Sequence, residues 1–329
     1  MCNLFVSTEH SLRRMKVTNP HSLQGECSID RDDFIIQVYC QVCEHYLQII
    51  SQHQLRQRGF APSFTDEEVI TLEICGEYFG FDQDEALHAY FADHYRHFFP
   101  NLPSRSTFVR QAANLWQVKG WLQQRLTEVS GQAADVVQAI DTLPLAVCTY
   151  TRSSRDRCFK PEADYGHCAA KKLDYYGFKL GLRISRAGMI IQAPLLPARP
   201  HDSQLLPDLI AGFAGLVPAD KGFIDAWRQA ELARKRAVEL ITPPRKNMPE
   251  PPLAAHYLLR LCRRWRKKIE TVASHLTQRF QIARTRAHDL WHYQHRLIRK
   301  VLAHTVAVLL NLQIGRQPNK VLHIRYWVM

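Results

Sequence analysis

The stretch Tyr175-Tyr-Gly-Phe-Lys-Leu-Gly-Leu-Arg-Ile-Ser185 places an apolar residue at every second position. An alternation of period two is typical of a β-strand that buries one face. The sequence Arg186-Ala-Gly188 then predicts a turn, and residues 189–196 predict a second strand, so we expect a β-hairpin here. The residues expected on the buried face are Tyr176, Phe178, Leu180, Leu182 and Ile184.

The segments around this hairpin alternate between strands and helices. Strands and helices in this order build an α/β layer, so the sequence predicts a mixed sheet flanked by helices. We assign this α/β domain to residues 131–315. The other predicted strands are 136–141, 215–220 and 238–242, and the predicted helices are 202–213, 224–237 and most of 253–312.

Residues 31–130 carry apolar residues at helical spacing, which predicts an N-terminal all-helical domain. Thr65 and Glu68 fit a capping box at the start of one helix. Ser104 or Ser106 can cap a later helix that carries Arg105. Short helices joined by a tight turn suit a helix-turn-helix DNA reader, and a plain helical bundle that supports the rest of the protein fits equally well. Residues 1–30 and 316–329 are expected to be tails.

The composition favours a polyanionic partner in the cytoplasm. The 329 residues include 43 Lys and Arg against 31 Asp and Glu, a net charge of +12. Nucleic acid is the stronger candidate, because the longest apolar stretch, 301–312, is shorter than the roughly 20 residues that span a membrane. The apolar run within residues 1–6 is too short for a signal peptide. Nine scattered cysteines indicate reduced thiols rather than a disulfide framework.

Three acids are candidates for metal-dependent chemistry. Asp141 and Asp220 each end a β-prone run, and carboxylates at strand ends can converge on a hard cation such as Mg²⁺. Glu270 follows six Lys or Arg within residues 260–268, and residues 251–300 hold twelve basic residues against two acids. Glu270 could simply pair with Arg266, four residues earlier on the same helical side. Phosphodiester cleavage with two metal ions explains both the acids and the cations that would neutralise DNA phosphates.

Several short motifs occur in the order and spacing of a known enzyme family. They are Asp141-Thr-Leu-Pro-Leu, Tyr176-Gly-Phe-Lys-Leu, Ala219-Asp-Lys-Gly-Phe223 and Lys268-Ile-Glu-Thr-Val272. Together they resemble the DDE transposases of bacterial insertion sequences, and most of all the insertion sequence 982 family. The resemblance extends from about Asp32 to Leu312.

The resemblance implies an RNase H-like catalytic domain that cuts and rejoins DNA. Asp141 would be the acid of its first strand, Asp220 the acid of its fourth strand and Glu270 the acid on a following helix, and the three would bind two Mg²⁺ or Mn²⁺ ions. The implied partners are double-stranded DNA, both transposon terminal inverted repeats and target, and further copies of the chain on paired ends. The implied location is the cytoplasm, in association with the nucleoid.

Arg266 stands four residues before Glu270, as the arginine does in the family's Tyr-Arg-Glu-Lys signature. Arg263 and Thr277 occupy the tyrosine and lysine positions of that signature, so its phosphate contacts cannot be copied, and the nearby Arg279 is the substitute candidate. The residues expected to contact DNA are Arg105, Lys179, Lys221, Arg245, Lys246, Arg263, Arg264, Arg266, Lys267, Lys268 and Arg279.

Other interpretations of these residues stay open at this point. Lys221 could be a solvated lysine, and Asp202 could either approach the metals or cap the next helix. Trp265 and Trp291 could stack on an unpaired base or pack between helices. A nuclease that cuts without joining, and a transposase-derived DNA-binding protein without catalysis, are the alternatives to an active transposase.

Overall fold

The computed structural model describes residues 29–56, 61–168, 172–244 and 255–320. The chain divides into two compact units, with the boundary after Ala112. This boundary lies earlier than the predicted one at residue 130. Most of the two predicted tails, residues 1–28 and 321–329, lies outside the described residues.

The described part of the first unit is helical, as predicted. The capping box is confirmed: Thr65 Oγ1 accepts a hydrogen bond from the Glu68 amide at 3.3 Å, and Glu68 Oε2 accepts one from the Thr65 amide at 2.7 Å. Aromatic side chains fill the core, and Phe34 and Tyr78 have ring centroids 4.4 Å apart. The helices are α1 (Arg31–Gln52), α2 (Asp66–Phe79), α3 (Asp84–His94) and α4 (Arg105–Asn114), which crosses the boundary.

The second unit contains a largely antiparallel sheet centred on the stretch that alternates in the sequence. The long strand β3 (Leu173–Ile184) pairs with β1 (Ala139–Thr149) on one side. On its other side it pairs in turn with three short strands, all antiparallel, which are β2 (Asp164–Cys168), β5 (Leu195–Pro197) and β4 (Ile190–Gln192). The predicted hairpin is therefore present, but its second strand is interrupted before Leu195.

A parallel pair of strands extends this arrangement beyond β1. Strand β6 (Gly215–Pro218) pairs with β7 (Val238–Ile241), close to the predicted positions. A parallel bridge joins Val137, just before β1, to Leu216 on β6. The Gln138 amide donates to the Leu216 carbonyl at 3.1 Å. The strands thus follow the order β7, β6, β1, β3 and then the short strands, which makes a mixed α/β unit.

Helices and short helical turns connect these strands. Helix α5 (Trp116–Val129) belongs to this second unit and packs against the last helix, which is why the boundary precedes it. The other helices are α6 (Leu206–Leu209), α7 (Ala226–Arg236), α8 (Ala255–Ser274), which continues into a π-helical turn (His275–Arg279), and α9 (Leu290–Gln313). None of the described helices has the length and apolar character that a membrane crossing requires.

Strand β1 corrects one prediction that bears on the site. Asp141 is the third residue of an eleven-residue strand rather than its last. Beyond its first residues β1 pairs with β3 alone among the described strands. Pro144, which has no amide N–H, is tolerated in a strand that has such an open side. The predicted helix over 202–213 is also shorter, and residues 280–289 separate α8 and its π turn from α9.

Candidate active site

Asp141 is the candidate acid on the sheet itself. Its side chain is partly buried on β1, and its Oδ1 accepts a hydrogen bond from the Thr142 amide at 2.8 Å. Burial raises the pKa of Asp141 to about 6, and the negative charges of Asp220 and Asp202 add to the rise against the opposing effect of Arg266. The carboxylates of Asp220 and Asp202 and the guanidinium of Arg266 therefore lie near enough to Asp141 to act on its charge.

Asp220 lies just beyond the end of β6, where the chain enters a short helical turn (Lys221–Phe223). The amide of Ala219, immediately before it, donates to the Ile241 carbonyl at the end of β7 at 2.9 Å. This bond fixes the backbone next to Asp220. The sequence predicted this acid as the last residue of a strand, and in the structure it lies two residues beyond the last residue of β6.

Glu270 is carried by α8, which is anchored against the same strand ends. The thiol of Cys262 lies 3.6 Å from the Ala219 carbonyl oxygen and 3.5 Å from that of Ile241. Trp265, Ile269 and Val272 are buried on the inner face of the helix. The sequence counted Cys262 only as a reduced thiol, because a contact across 43 residues of chain leaves no local signal.

Arg266 joins two of the three predicted acids. Its Nη1 lies 3.1 Å from Oδ1 of Asp220, and its Nε lies 3.2 Å from Oε1 of Glu270. The side chains are partly exposed, 49% for Arg266, 39% for Asp220 and 58% for Glu270. The helical pair with Glu270 that the spacing suggested is present, and the same guanidinium also reaches the strand-end acid.

Asp202 is a further acid near the site that the sequence left undecided. It accepts from the Lys179 ammonium at 3.0 Å, and the two side chains are only 26% and 16% exposed. Asp202 does not cap the following turn, since the ring of His201 accepts the hydrogen bond there. A Cβ atom at Gly222, two residues after Asp220, would lie 2.8 Å from Oδ2 of Asp202. Asp202 thus lies against the loop that carries Asp220.

These acids match the donor chemistry of Mg²⁺ or Mn²⁺, which take carboxylate oxygens. The raised pKa of Asp141 follows chiefly from burial, and the charges of Asp220 and Asp202 add to it. Across the described parts of the chain, however, no three His, Cys, Asp or Glu side chains are grouped closely enough to hold an ion as they stand. Asp220 and Glu270 are instead held by the guanidinium of Arg266.

The predicted DNA contacts on α8 form one exposed group. Arg263, Arg264, Arg266 and Lys267 are exposed. Lys268 is less so: its ammonium donates to the Arg186 carbonyl and lies 5.6 Å from the Trp265 ring centroid. Burial, followed by the charges of Arg264 and Arg186, lowers the pKa of Lys268.

The other predicted DNA contacts are scattered. Arg105 is exposed at the start of α4 and pairs with Glu85 at 3.2 Å, Lys221 is exposed beside Asp220, and Arg279 is partly buried at the end of the π turn. The Lys179 ammonium is held by Asp202 and by the Pro200 carbonyl, each at 3.0 Å, which favours a role in holding Asp202 over contact with DNA. Arg245 and Lys246 lie outside the described residues.

Two features of the cationic C-terminal half bear on which of its residues can contact DNA. Trp265 is only 5% exposed, so it packs inside, whereas Trp291 is 46% exposed and lies edge-on to Trp116 with centroids 5.7 Å apart. Arg299 and Lys300 are each 1% exposed, and the Lys300 ammonium donates to the Phe280 carbonyl. These two cations are buried and are not available to DNA, so the solvent-facing charge of this half is smaller than its composition suggests.

The fold is an α/β unit in which Asp141 lies within β1, and Asp220, just beyond β6, lies beside the cationic helix α8. Residues 131–290 match the family described as "Transposase DDE domain". This region includes Asp141, Asp220 and Glu270, and the match supports a DDE transposase in general without distinguishing the insertion sequence 982 family. No curated protein and no solved structure gives a significant match.

Proposed function

We propose that this chain is a transposase that binds transposon-end DNA and catalyses metal-dependent cleavage and strand transfer. The observation that carries the proposal is the meeting of strand β1, the end of β6 and helix α8. Asp220 acts on the ionisation of Asp141, and Arg266 links Asp220 to Glu270. All three acids lie within the region that matches the transposase DDE domain.

The strand order supports an RNase H-like arrangement of this unit. Strand β1 lies between β3, which runs antiparallel to it, and β6, which continues the sheet in parallel with β7. Asp141 then lies on the central strand and Asp220 follows its neighbour. Helix α8, after the last strand, brings Glu270 to the same end through the contacts of Cys262 with the ends of β6 and β7.

In this proposal Asp141, Asp220 and Glu270 are the residues that would hold Mg²⁺ or Mn²⁺. The ions would supply activation of the attacking oxygen and stabilisation of the leaving oxygen. The chain's own contribution is to fix the three carboxylates on a strand, a strand end and a helix, which is more precise than placing them on loops. The exposed cations of α8 would bind the DNA backbone next to the acids and orient the phosphate between them.

We propose further that the helical N-terminal region reads the terminal inverted repeats, with Arg105 on the reading helix, and that copies of the chain assemble on paired ends. The proposed location is the cytoplasm, with the protein associated with the nucleoid. The pair of Arg105 with Glu85 is exposed on both sides, so DNA phosphate can replace Glu85 at little cost.

The test is cleavage and joining of a labelled duplex that carries the element's terminal inverted repeat, in Mg²⁺ or Mn²⁺. Each of Asp141→Asn, Asp220→Asn and Glu270→Gln is expected to bind the duplex and to lose cleavage about a hundredfold or more, since metal-assisted stabilisation is worth several kcal/mol. Asp208→Asn, an exposed acid on α6, is the matched control and should cut normally.

The outcomes separate this function from its alternatives. Cleavage without joined products would make the protein an RNase H-like nuclease. Binding without cleavage by the wild type would make it a transposase-derived DNA-binding protein. If the three acid variants cut as fast as Asp208→Asn, the metal ligands lie elsewhere and the assignment of the site is wrong.

A further inference from the structure

The guanidinium of Arg266 forms ion pairs with two of the three acids that the proposed metal site requires. Two different nitrogen atoms are used, with Nη1 at 3.1 Å from Asp220 and Nε at 3.2 Å from Glu270. A guanidinium keeps its charge at all working pH values, so the pairing is not released by deprotonation of Arg266. The carboxylate oxygens that a divalent ion would take are therefore already facing a cation.

The exposure of this cluster decides how firmly Arg266 holds the acids. Between 39% and 58% of each side chain is open to solvent. Exposed ion pairs are weak, each contributing about 1 kcal/mol or less. Competition from Arg266 therefore reduces the affinity of the acids for a divalent ion by only about fivefold or less. Arg266 can therefore hold Asp220 and Glu270 together when no divalent ion is bound, and a divalent ion can still displace it from them.

We propose that Arg266 is an internal counter-ion, which pairs with Asp220 and Glu270 while no divalent ion is bound and turns to a DNA phosphate once an ion has taken those acids. The inference rests on the proposed function, because it takes Asp220 and Glu270 as metal ligands. The geometry of Arg266 suits binding to a DNA phosphate, since the planar fork of a guanidinium matches phosphate as well as carboxylate.

This exchange couples the two ligands of the site. An ion that displaces Arg266 makes one more cation available to the phosphate backbone, beside Arg263 and Lys267 on the exposed face of α8. By linkage, DNA that draws Arg266 away must raise the affinity for the ion by the same factor. The site then reaches its active arrangement, with the acids on the ion and Arg266 on a phosphate, only when both the ion and DNA are bound.

The first experiment measures Mn²⁺ binding to the full chain without DNA, from the loss of the free-ion EPR signal. Arg266→Met is expected to bind Mn²⁺ about two- to fivefold more tightly than the wild type, because the competing cation is gone. Lys267→Met is the matched control: it removes one exposed positive charge from the next position of α8 and should change the affinity less. Equal affinities for Arg266→Met and Lys267→Met, or weaker binding by Arg266→Met than by the wild type, overturn the inference.

Asp141→Asn, measured alongside, separates this inference from the function on which it rests. If the wild type binds Mn²⁺ and Asp141→Asn does not, the ion is at the proposed site, and an unchanged Arg266→Met then refutes the counter-ion role alone. If neither the wild type nor Arg266→Met binds Mn²⁺, the metal site and the counter-ion role are both wrong.

The second experiment measures the affinity for a short random-sequence duplex with and without Ca²⁺ at matched ionic strength. Ca²⁺, which also takes carboxylate oxygens, is expected to tighten DNA binding by the wild type severalfold. Arg266→Met should lose most of this gain, whereas Lys267→Met should keep it. A gain in Arg266→Met as large as in the wild type would show that the coupling does not pass through Arg266.

Discussion

Asp141 shows at a single side chain that burying an acid on the sheet costs stability. Its folded-state pKa of about 6 lies above the ordinary value of about 3.9, chiefly because of burial and then because of Asp220. A group whose pKa is raised by folding binds its proton more tightly in the folded state. The free energy of unfolding therefore falls as the pH rises from about 4 to about 6, and stays lowered above that window.

Asp141→Asn is accordingly expected to stabilise the metal-free protein. At pH 7.5 in EDTA, denaturant titration should show a free energy of unfolding higher by about 1–2 kcal/mol, after allowance for solvent screening, and near pH 4 the difference should vanish. Asp208→Asn should show no such pH dependence. An Asp141→Asn variant that is less stable than the wild type at pH 7.5 would contradict this account of the site.

Lys179 and Asp202 form the least exposed ion pair beside the site, with 16% and 26% of their side chains exposed. Removing one partner leaves the other charge partly buried, which costs more than removing both. We expect Lys179→Met and Asp202→Asn each to destabilise the protein, and the double variant to cost less than their sum by about 1–2 kcal/mol. Additive losses in a denaturant double-mutant cycle would return Lys179 to the list of DNA-contact candidates.

The three candidate acids could be selected from the sequence because each leaves a local trace, a β-prone run or a cationic helical context. Of their contacts, only the pair of Glu270 with Arg266 could be predicted, because it joins residues four apart on one helix. Arg266 reaches Asp220 across 46 residues of chain, and Cys262 contacts Ala219 across 43. Such contacts depend on how α8 packs on the strand ends, which neither spacing nor hydrophobic pattern encodes.

The β1–β3 pair is the element on which Asp141 depends, and Gly177 marks its closest approach. A Cβ atom at Gly177 would lie 2.3 Å from the Leu145 carbonyl oxygen and 2.8 Å from the Val147 amide nitrogen, so the backbone itself would have to move. Gly177→Ala is expected to lower the free energy of unfolding by about 2–4 kcal/mol and to reduce the yield of folded protein.

Gly120→Ala provides the matched control for this substitution. Gly120 lies within α5, where an added Cβ atom meets nothing within 4 Å, so alanine should be neutral or stabilise the protein by about 0.5–1 kcal/mol. Thermal unfolding of both variants separates the close approach of β1 and β3 from a general effect of replacing glycine. If Gly177→Ala melts with the wild type, the two strands are not packed as described.

Strand β3 was predictable because its alternation is strong, yet the alternation does not describe its burial. Both faces of β3 are largely covered, and even Arg183 is only 4% exposed, with its guanidinium 5.4 Å from the Phe213 ring centroid. The sequence did not predict the second half of β1 or any of β2. These residues form strands because they pair with β3, and not because of their local propensity. Helix α2, in contrast, was predictable because its capping box is local.

Across the whole molecule, the excess of positive charge divides into a solvent-facing part and an interior part. The exposed cations of α8 lie next to the acids, whereas Arg299 and Lys300 are buried within α9. Composition alone cannot make this division, since all of these residues count equally in the net charge of +12. The part of the charge that contacts DNA in the proposed function can be measured through the salt dependence of binding.

We predict that the exposed cations of α8 account for a measurable part of the salt dependence of DNA affinity. If Arg263, Arg264 and Lys267 each neutralise a phosphate, replacing all three by Met should reduce the slope of log affinity against log salt concentration by about one unit for each contact. The affinity for different duplex sequences should fall about equally, because phosphate contacts carry no sequence information.

The control removes the same number of exposed charges from another helix of the same unit. Arg234, Lys235 and Arg236 end α7, and their replacement by Met lowers the net charge equally. If DNA binds along α8, fluorescence anisotropy over a range of salt concentrations should give a reduced slope for the α8 variant and a slope near that of the wild type for the α7 variant. Equal reductions would mean that the protein attracts DNA through its net charge, and that α8 does not position the phosphate beside Asp141, Asp220 and Glu270.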